Sequence, residues 1–192
     1  MNWLAHLFLS EPSSAFRIGN LLPDLLPPAE VAGLPLDFRR GAECHRRIDA
    51  FTDSHPIVRR SKTRISPAFR RFSGILTDMF YDHVLARDWQ YYSSIPLAEF
   101  VAGVHLSFDH HRQDLPTAAY TELQHMRAGD WLNSYGEMSG LRTATECIGM
   151  RFRRPVNLTG GVAELEFHYQ PLCADFAEFF PELMAYVAAT GT

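Results

Sequence analysis

Apolar residues recur along this chain at spacings of three and four, with no sustained period-two alternation of the kind a half-buried strand requires. Trp3, Leu4, Leu7 and Phe8 predict a short, largely buried helix over 2–9, with Asn2 and His6 on one face. Gly19-Asn20 and the prolines at 23, 27 and 28 predict turns, which places Asp24 on a constrained loop. A first long helix is expected over 36–53, stopped by Ser54-His55-Pro56, and the segment 57–65 follows it. Ser66-Pro67 makes a good N-cap and N1 pair, predicting a helix over 66–89 whose Phe69, Phe72, Leu76, Met79, Phe80 and Val84 turn to the core. Further helices are expected over 96–113, from Pro116, over 139–152 and 162–180, and from Pro181 onward. The pattern predicts an all-α fold: a compact bundle of about eight to ten helices in one domain, 1–192.

Composition changes this picture little, because 46% hydrophobic and 21% charged residues are ordinary for a globular protein. The cysteines are three, Cys44, Cys147 and Cys173, and no CxxC occurs. Neither a disulfide framework nor a zinc ribbon is indicated, and a reducing cytoplasm is expected. No basic region precedes a long apolar run, so neither export nor membrane insertion is expected. Charge adds more. Positions 39–71 hold ten Lys or Arg against three acidic residues (+7), and the remainder holds eight against nineteen (−11). A basic segment on an acidic protein points to an anionic partner or substrate. Nucleic acid is disfavoured, since only Phe69 and Phe72 interleave the basic cluster.

The chain lacks a P-loop, GxSxG, GxGxxG and HExxH. It does have His45, Asp49 and Asp53 at four-residue intervals, about 5–6 Å apart at Cβ along one helix face. The apolar stripe of Cys44, Ile48 and Phe51 runs beside them, so this face borders the core. Asp78, Asp82 and His83 form a second such group. A salt-bridged helix face explains either group alone. Two of them favour a bound cation, because several buried carboxylates are costly without one. The nitrogen and oxygen donors suit Mn²⁺, Fe²⁺, Mg²⁺ or Zn²⁺ and disfavour a structural zinc site. A competing group, His105, Asp109, His110 and His111, precedes a loop-like stretch and is expected to be exposed.

Asn2-Trp3-Leu4-Ala5-His6, Gly19-Asn20-Leu21-Leu22-Pro23-Asp24, His45-Arg46-Arg47-Ile48-Asp49 with Thr52-Asp53, and Asp78 with Asp82-His83 resemble, in order and spacing, the acyl carrier protein phosphodiesterases. The resemblance extends over nearly the whole chain, including the Arg-Arg-Pro at 153–155. It implies an all-helical fold related to the HD-domain phosphohydrolases. The implied reaction is Mn²⁺-dependent hydrolysis of the phosphodiester joining 4′-phosphopantetheine to a carrier-protein serine, with Mg²⁺ or Fe²⁺ as alternatives to Mn²⁺. The chain contains no His-Asp dipeptide, only the reverse order at Asp82-His83 and Asp109-His110, so the HD ligand set does not transfer position by position. The matched positions are Asp24, His45, Asp49, Asp78, Asp82 and His83, with His6 as a further ligand or its support. Asp24, Asp49 and His45 are the expected catalytic groups, and Arg46 and Arg47 the expected phosphate contacts. Arg59, Arg60, Lys62, Arg64, Arg70 and Arg71 are the expected docking surface for the acidic carrier protein. Trp3 stands where the family pattern implies a smaller aromatic, an exchange expected to act on packing rather than chemistry. Two other readings fit the residues: an HD-like hydrolase of free nucleotides or small phosphodiesters, and a non-enzymatic helical adaptor using the basic patch.

Overall fold

The computed structural model describes residues 1–152 and 154–190, apart from the side chain of Arg151; Arg153 lies outside the described residues. The first half comprises α1 (Trp3–Phe8), α2 (Ser14–Gly19), α3 (Pro28–Ala32), α4 (Leu36–Ser54), α5 (Pro56–Arg64) and α6 (Ser73–Arg87). The second comprises α7 (Leu97–His110), α8 (Thr117–Ala128), α9 (Trp131–Ser134), α10 (Met138–Arg151), α11 (Thr159–Phe167) and α12 (Tyr169–Thr190). Short 3₁₀ turns stand at Leu22–Asp24, Arg70–Phe72 and Trp89–Tyr91. The all-α class holds, with twelve α-helices among the described residues instead of eight to ten. None of the described helices is long and apolar enough to cross a membrane.

Helix α6 is the axis of the bundle. Residues 79–86 are all buried, so this helix is covered on every side, and α1, α5, α10, α11 and α12 pack around it. Two expected boundaries move. The 66–89 helix starts only at Ser73, because Phe69 leaves helical geometry (φ −112°, ψ 7°). The Phe69 ring instead lies over Gly160, and the Ser66 N–H donates to Glu164 at 3.2 Å. The expected 162–180 helix breaks at His168 (φ −99°, ψ 21°), and Pro181 opens no new helix but lies within α12. Pro181 costs α12 the bond to the Ala177 carbonyl, and burial of Phe179, Phe180 and Leu183 beside it keeps the helix continuous.

Two contacts hold the elements that carry the chemistry. Helices α2 and α4 meet backbone to backbone at Gly19 and Gly41. A Cβ on Gly41 would lie 2.1 Å from the Phe16 carbonyl oxygen, and one on Gly19 would lie 2.3 Å from that of Phe38. On the far side of α6, Asp175 of α12 is buried and receives Arg60 Nε at 2.8 Å, Ser61 Oγ at 2.7 Å and Arg64 Nε at 3.0 Å. Arg60 and Arg64 therefore tie α5 to α12, whereas the sequence reading expected both in the docking surface.

The glycine contact predicts that Gly41→Ala lowers stability by roughly 1–3 kcal/mol or more. Gly103→Ala, with nothing within 4 Å of the new Cβ, should be neutral or stabilising. Equal urea midpoints for the two variants would contradict the contact. Burial pushes the Asp175 carboxyl up, but Arg64, Ser61 and Arg60 outweigh it and hold the pKa below the ordinary 3.8. A depressed carboxylate contributes stability above its unfolded pKa and loses it as pH falls toward the folded value. Urea denaturation below about pH 4 should accordingly show an acid-side loss of stability that is shallower in Asp175→Asn.

Candidate active-site cleft

Helix α1 brings Trp3 and His6 inward, and its first turn is held by another helix. Asn2 offers no side-chain cap; Asp82 of α6 accepts from Leu4 N–H at 2.7 Å and Ala5 N–H at 3.2 Å. Burial pushes the Asp82 carboxyl up to about 7, less far than it would without those two N–H groups. Helix α4 brings His45 and Asp49 to the same place. Asp49 reaches His45 Nε2 at 3.0 Å and His6 Nε2 at 3.2 Å, and the two imidazoles stack with centroids 4.0 Å apart.

Asn20, fixed by the Gly19–Gly41 approach, orients both rings. Its side-chain N–H groups donate to the His6 carbonyl at 2.8 Å and Ser10 Oγ at 2.9 Å, which leaves Oδ1 to accept from His6 Nδ1 at 3.0 Å. Its backbone carbonyl accepts from His45 Nδ1 at 2.7 Å. Both Nδ1 atoms therefore carry the proton, and both Nε2 lone pairs point at Asp49 when the rings are neutral. His6 Nε2 is buried and makes no properly directed hydrogen bond despite its nearness to Asp49. Burial drives the His6 pKa down. Burial also opposes a charge on His45 and on Asp49, but their mutual hydrogen bond prevails, raising the His45 pKa and holding Asp49 well below the carboxylate range.

Asp49 of this cluster lines a cleft of about 500 Å³. Asp24, Asp49, Asp53 and Asp78 line it together with Trp3, Ile75, Trp131, Ile148 and Phe152. The buried Met1 ammonium lies 3.4 Å from both Asp49 and Asp78, and those carboxylates outweigh burial to raise its pKa to about 10. Asp78 Oδ1 has no hydrogen-bond partner, and burial raises that carboxyl. Asp53 is held by Lys62 Nζ at 2.7 Å on the cleft edge. Among the described residues, His6, His45 and Asp49 are the group whose donor atoms all fall within 4.8 Å of one another, as a single cation requires. Two imidazoles whose Nδ1–H groups are held by Asn20, with a carboxylate beside both Nε2 atoms, fit a divalent ion of the Mn²⁺, Fe²⁺ or Zn²⁺ kind.

The expected residues divide sharply. Asp24 joins the site, its Oδ1 3.6 Å from His45 Nε2. Asp82 and His83 do not: Asp82 caps α1, and His83 donates from Nδ1 to the Tyr135 carbonyl at 2.8 Å and accepts from the Tyr169 hydroxyl at 2.9 Å. Arg46 and Arg47 turn away and hold Glu43, at 2.6 Å and 3.6 Å, so they are not brought to the phosphate position. The group around His105 disperses, with Asp109 bound to Arg127 and His111 to Ser14 and Asp114. Burial pushes the Cys44 thiol up to about 11, which removes it as a nucleophile at neutral pH. Trp3 does more than pack, since its indole N–H donates to Asp24 Oδ2 at 2.9 Å. Asn20 was legible only as a turn residue. The signal for its role was two inward histidines, each needing an acceptor for Nδ1.

Replacing Asn20 by Ala strands the buried His6 Nδ1–H while leaving the backbone acceptor of His45 in place. A loss of roughly 1–3 kcal/mol in urea denaturation is expected, and a loss under about half a kcal/mol would remove Asn20 as the hub.

The family model described as acyl carrier protein phosphodiesterase matches residues 1–183. Curated proteins of that name are similar throughout: one from Yersinia pestis is 33% identical over 187 residues, 96% of each chain. One from Enterobacter sp. (strain 638) is 34% identical over 185 residues, again 96% of each chain. One from Salmonella dublin is 33% identical over 189 residues, 98% of each chain. No solved structure matches the chain.

Proposed function

The chain belongs to the acyl carrier protein phosphodiesterase family, and we propose that it is a divalent-metal-dependent hydrolase that releases 4′-phosphopantetheine from the serine of holo-acyl carrier protein. The observation that carries this reading is the mutual approach of His6 Nε2, His45 Nε2 and Asp49, the last of which lines the cleft. Electrostatics supports it. Four carboxylates line the cleft against the Met1 ammonium and the Lys62 partner of Asp53, a field that repels a phosphodiester until more positive charge is added. His6, His45 and Asp49 would hold a divalent ion, Mn²⁺ or alternatively Mg²⁺ or Fe²⁺, which would supply Lewis acidity when bound.

The remaining work falls to the chain itself. Asp24 is the carboxylate placed to orient the attacking water and accept its proton, because it lies beside His45 without being one of the three converging donors. Asn20 keeps both Nε2 lone pairs aimed at the site. The apolar lining of the cleft excludes water and accepts the pantetheine arm. The carrier protein, being acidic, docks on the exposed Arg59, Arg70 and Arg71. Lys62 sits at the cleft edge. Such an association weakens as salt rises. The reducing cytoplasm, where the three cysteines stay free, is the compartment that suits this chemistry.

The deciding experiment incubates the purified protein with holo-acyl carrier protein and Mn²⁺, with and without chelator, and reads intact mass. Loss of phosphopantetheine that chelator abolishes is expected. His45→Ala and Asp24→Ala should reduce turnover by about 10² or more, whereas folded His83→Gln should stay within about tenfold of wild type. Efficient hydrolysis of free nucleotides with no action on carrier protein would replace this reading by the nucleotide one.

A further inference from the structure

Asp24 ends a single 3₁₀ turn, Leu22–Asp24, and its side chain is 43% exposed. A short carboxylate in that position has free rotamers unless something holds it. Its side-chain partners among the described residues are two: Trp3 Nε1 at 2.9 Å from Oδ2, and His45 Nε2 at 3.6 Å from Oδ1. The indole N–H therefore occupies one oxygen and turns the other toward the histidines. Trp3 is itself firmly placed. Its residue is 4% exposed, Asp82 fixes the first turn of α1, and its ring stacks on Trp131 with centroids 5.8 Å apart and planes 27° apart. Trp131 in turn packs against Gly129, where a Cβ would fall 2.2 Å from the indole nitrogen.

We propose that Trp3 is a positioning residue, whose indole N–H selects the Asp24 rotamer that presents Oδ1 to the site. It touches neither water nor phosphate in this role and acts only through Asp24, so the inference rests on the hydrolytic reading above for its kinetic consequence. The hydrogen bond itself does not, and that separates the two tests. Trp3→Phe keeps an aromatic ring for Trp131 and removes the donor.

With holo-carrier protein as substrate, Trp3→Phe is expected to lower kcat about tenfold, the scale of one hydrogen bond to a charged group. KM should change by less than about twofold, because ground-state binding is untouched. A Trp3→Phe enzyme with wild-type kcat overturns the proposal. The second measurement needs no turnover. In ¹⁵N-labelled protein, Asp24→Ala should speed solvent exchange of the Trp3 indole proton by about tenfold or more as its acceptor is lost. Unchanged exchange overturns the proposal even if Trp3→Phe is too unstable to assay. If wild-type protein leaves the carrier protein intact while the exchange result holds, the reaction assignment fails and the positioning contact stands.

Discussion

The approach of α2 to α4 at Gly19 and Gly41 is the constraint on which the site depends. Side chains there would drive the helices apart, since each Cβ would fall within 2.3 Å of a carbonyl oxygen. Only at that separation does Asn20 lie close enough to accept from His45 with its backbone and from His6 with its side chain. Two imidazoles from different helices are thus locked by one residue that touches no substrate. The packing determines the tautomers, and the tautomers determine where the lone pairs point.

Around that lock the polar groups are sorted by what satisfies them. Asp82 is answered by two backbone N–H groups, His83 by Tyr135 and Tyr169, and Asp175 by Arg60, Ser61 and Arg64. These are closed networks with structural duties. His6 Nε2 and Asp78 Oδ1 stay without a directed hydrogen bond, although Asp49 lies 3.2 Å from the first and the Met1 ammonium 3.4 Å from the second. A buried polar atom left without a directed hydrogen bond is costly.

Helical periodicity made much of this legible. His45 and Asp49 share a face because they are four apart, and the structure brings them together as spacing demanded. The same logic failed at Asp82 and His83. Neighbouring residues on a helix buried on all sides point to different partners, and spacing says nothing about which. Arg60 and Arg64 read as free cations because Asp175 lies more than a hundred residues away in sequence. Arg46 and Arg47 adjoin His45 in sequence but lie on other faces of α4, with Glu43 as their partner. Pro181 looked like a helix start, but burial of the aromatic residues beside it outweighed the missing hydrogen bond. What the sequence withheld was therefore the pairing of faces, which only tertiary packing decides.

The stacked Trp3 and Trp131 have a bearing on how this protein can be observed. The chain contains three tryptophans, and the third, Trp89, is buried against Phe8 and Phe100 away from the cleft. Two of the three strongest near-ultraviolet chromophores in the molecule thus stack on each other in the lining of one cavity. Anything that enters and parts them changes their coupling and their polarity together. The protein carries its own optical gauge of occupancy, built from the same rings that shape the wall.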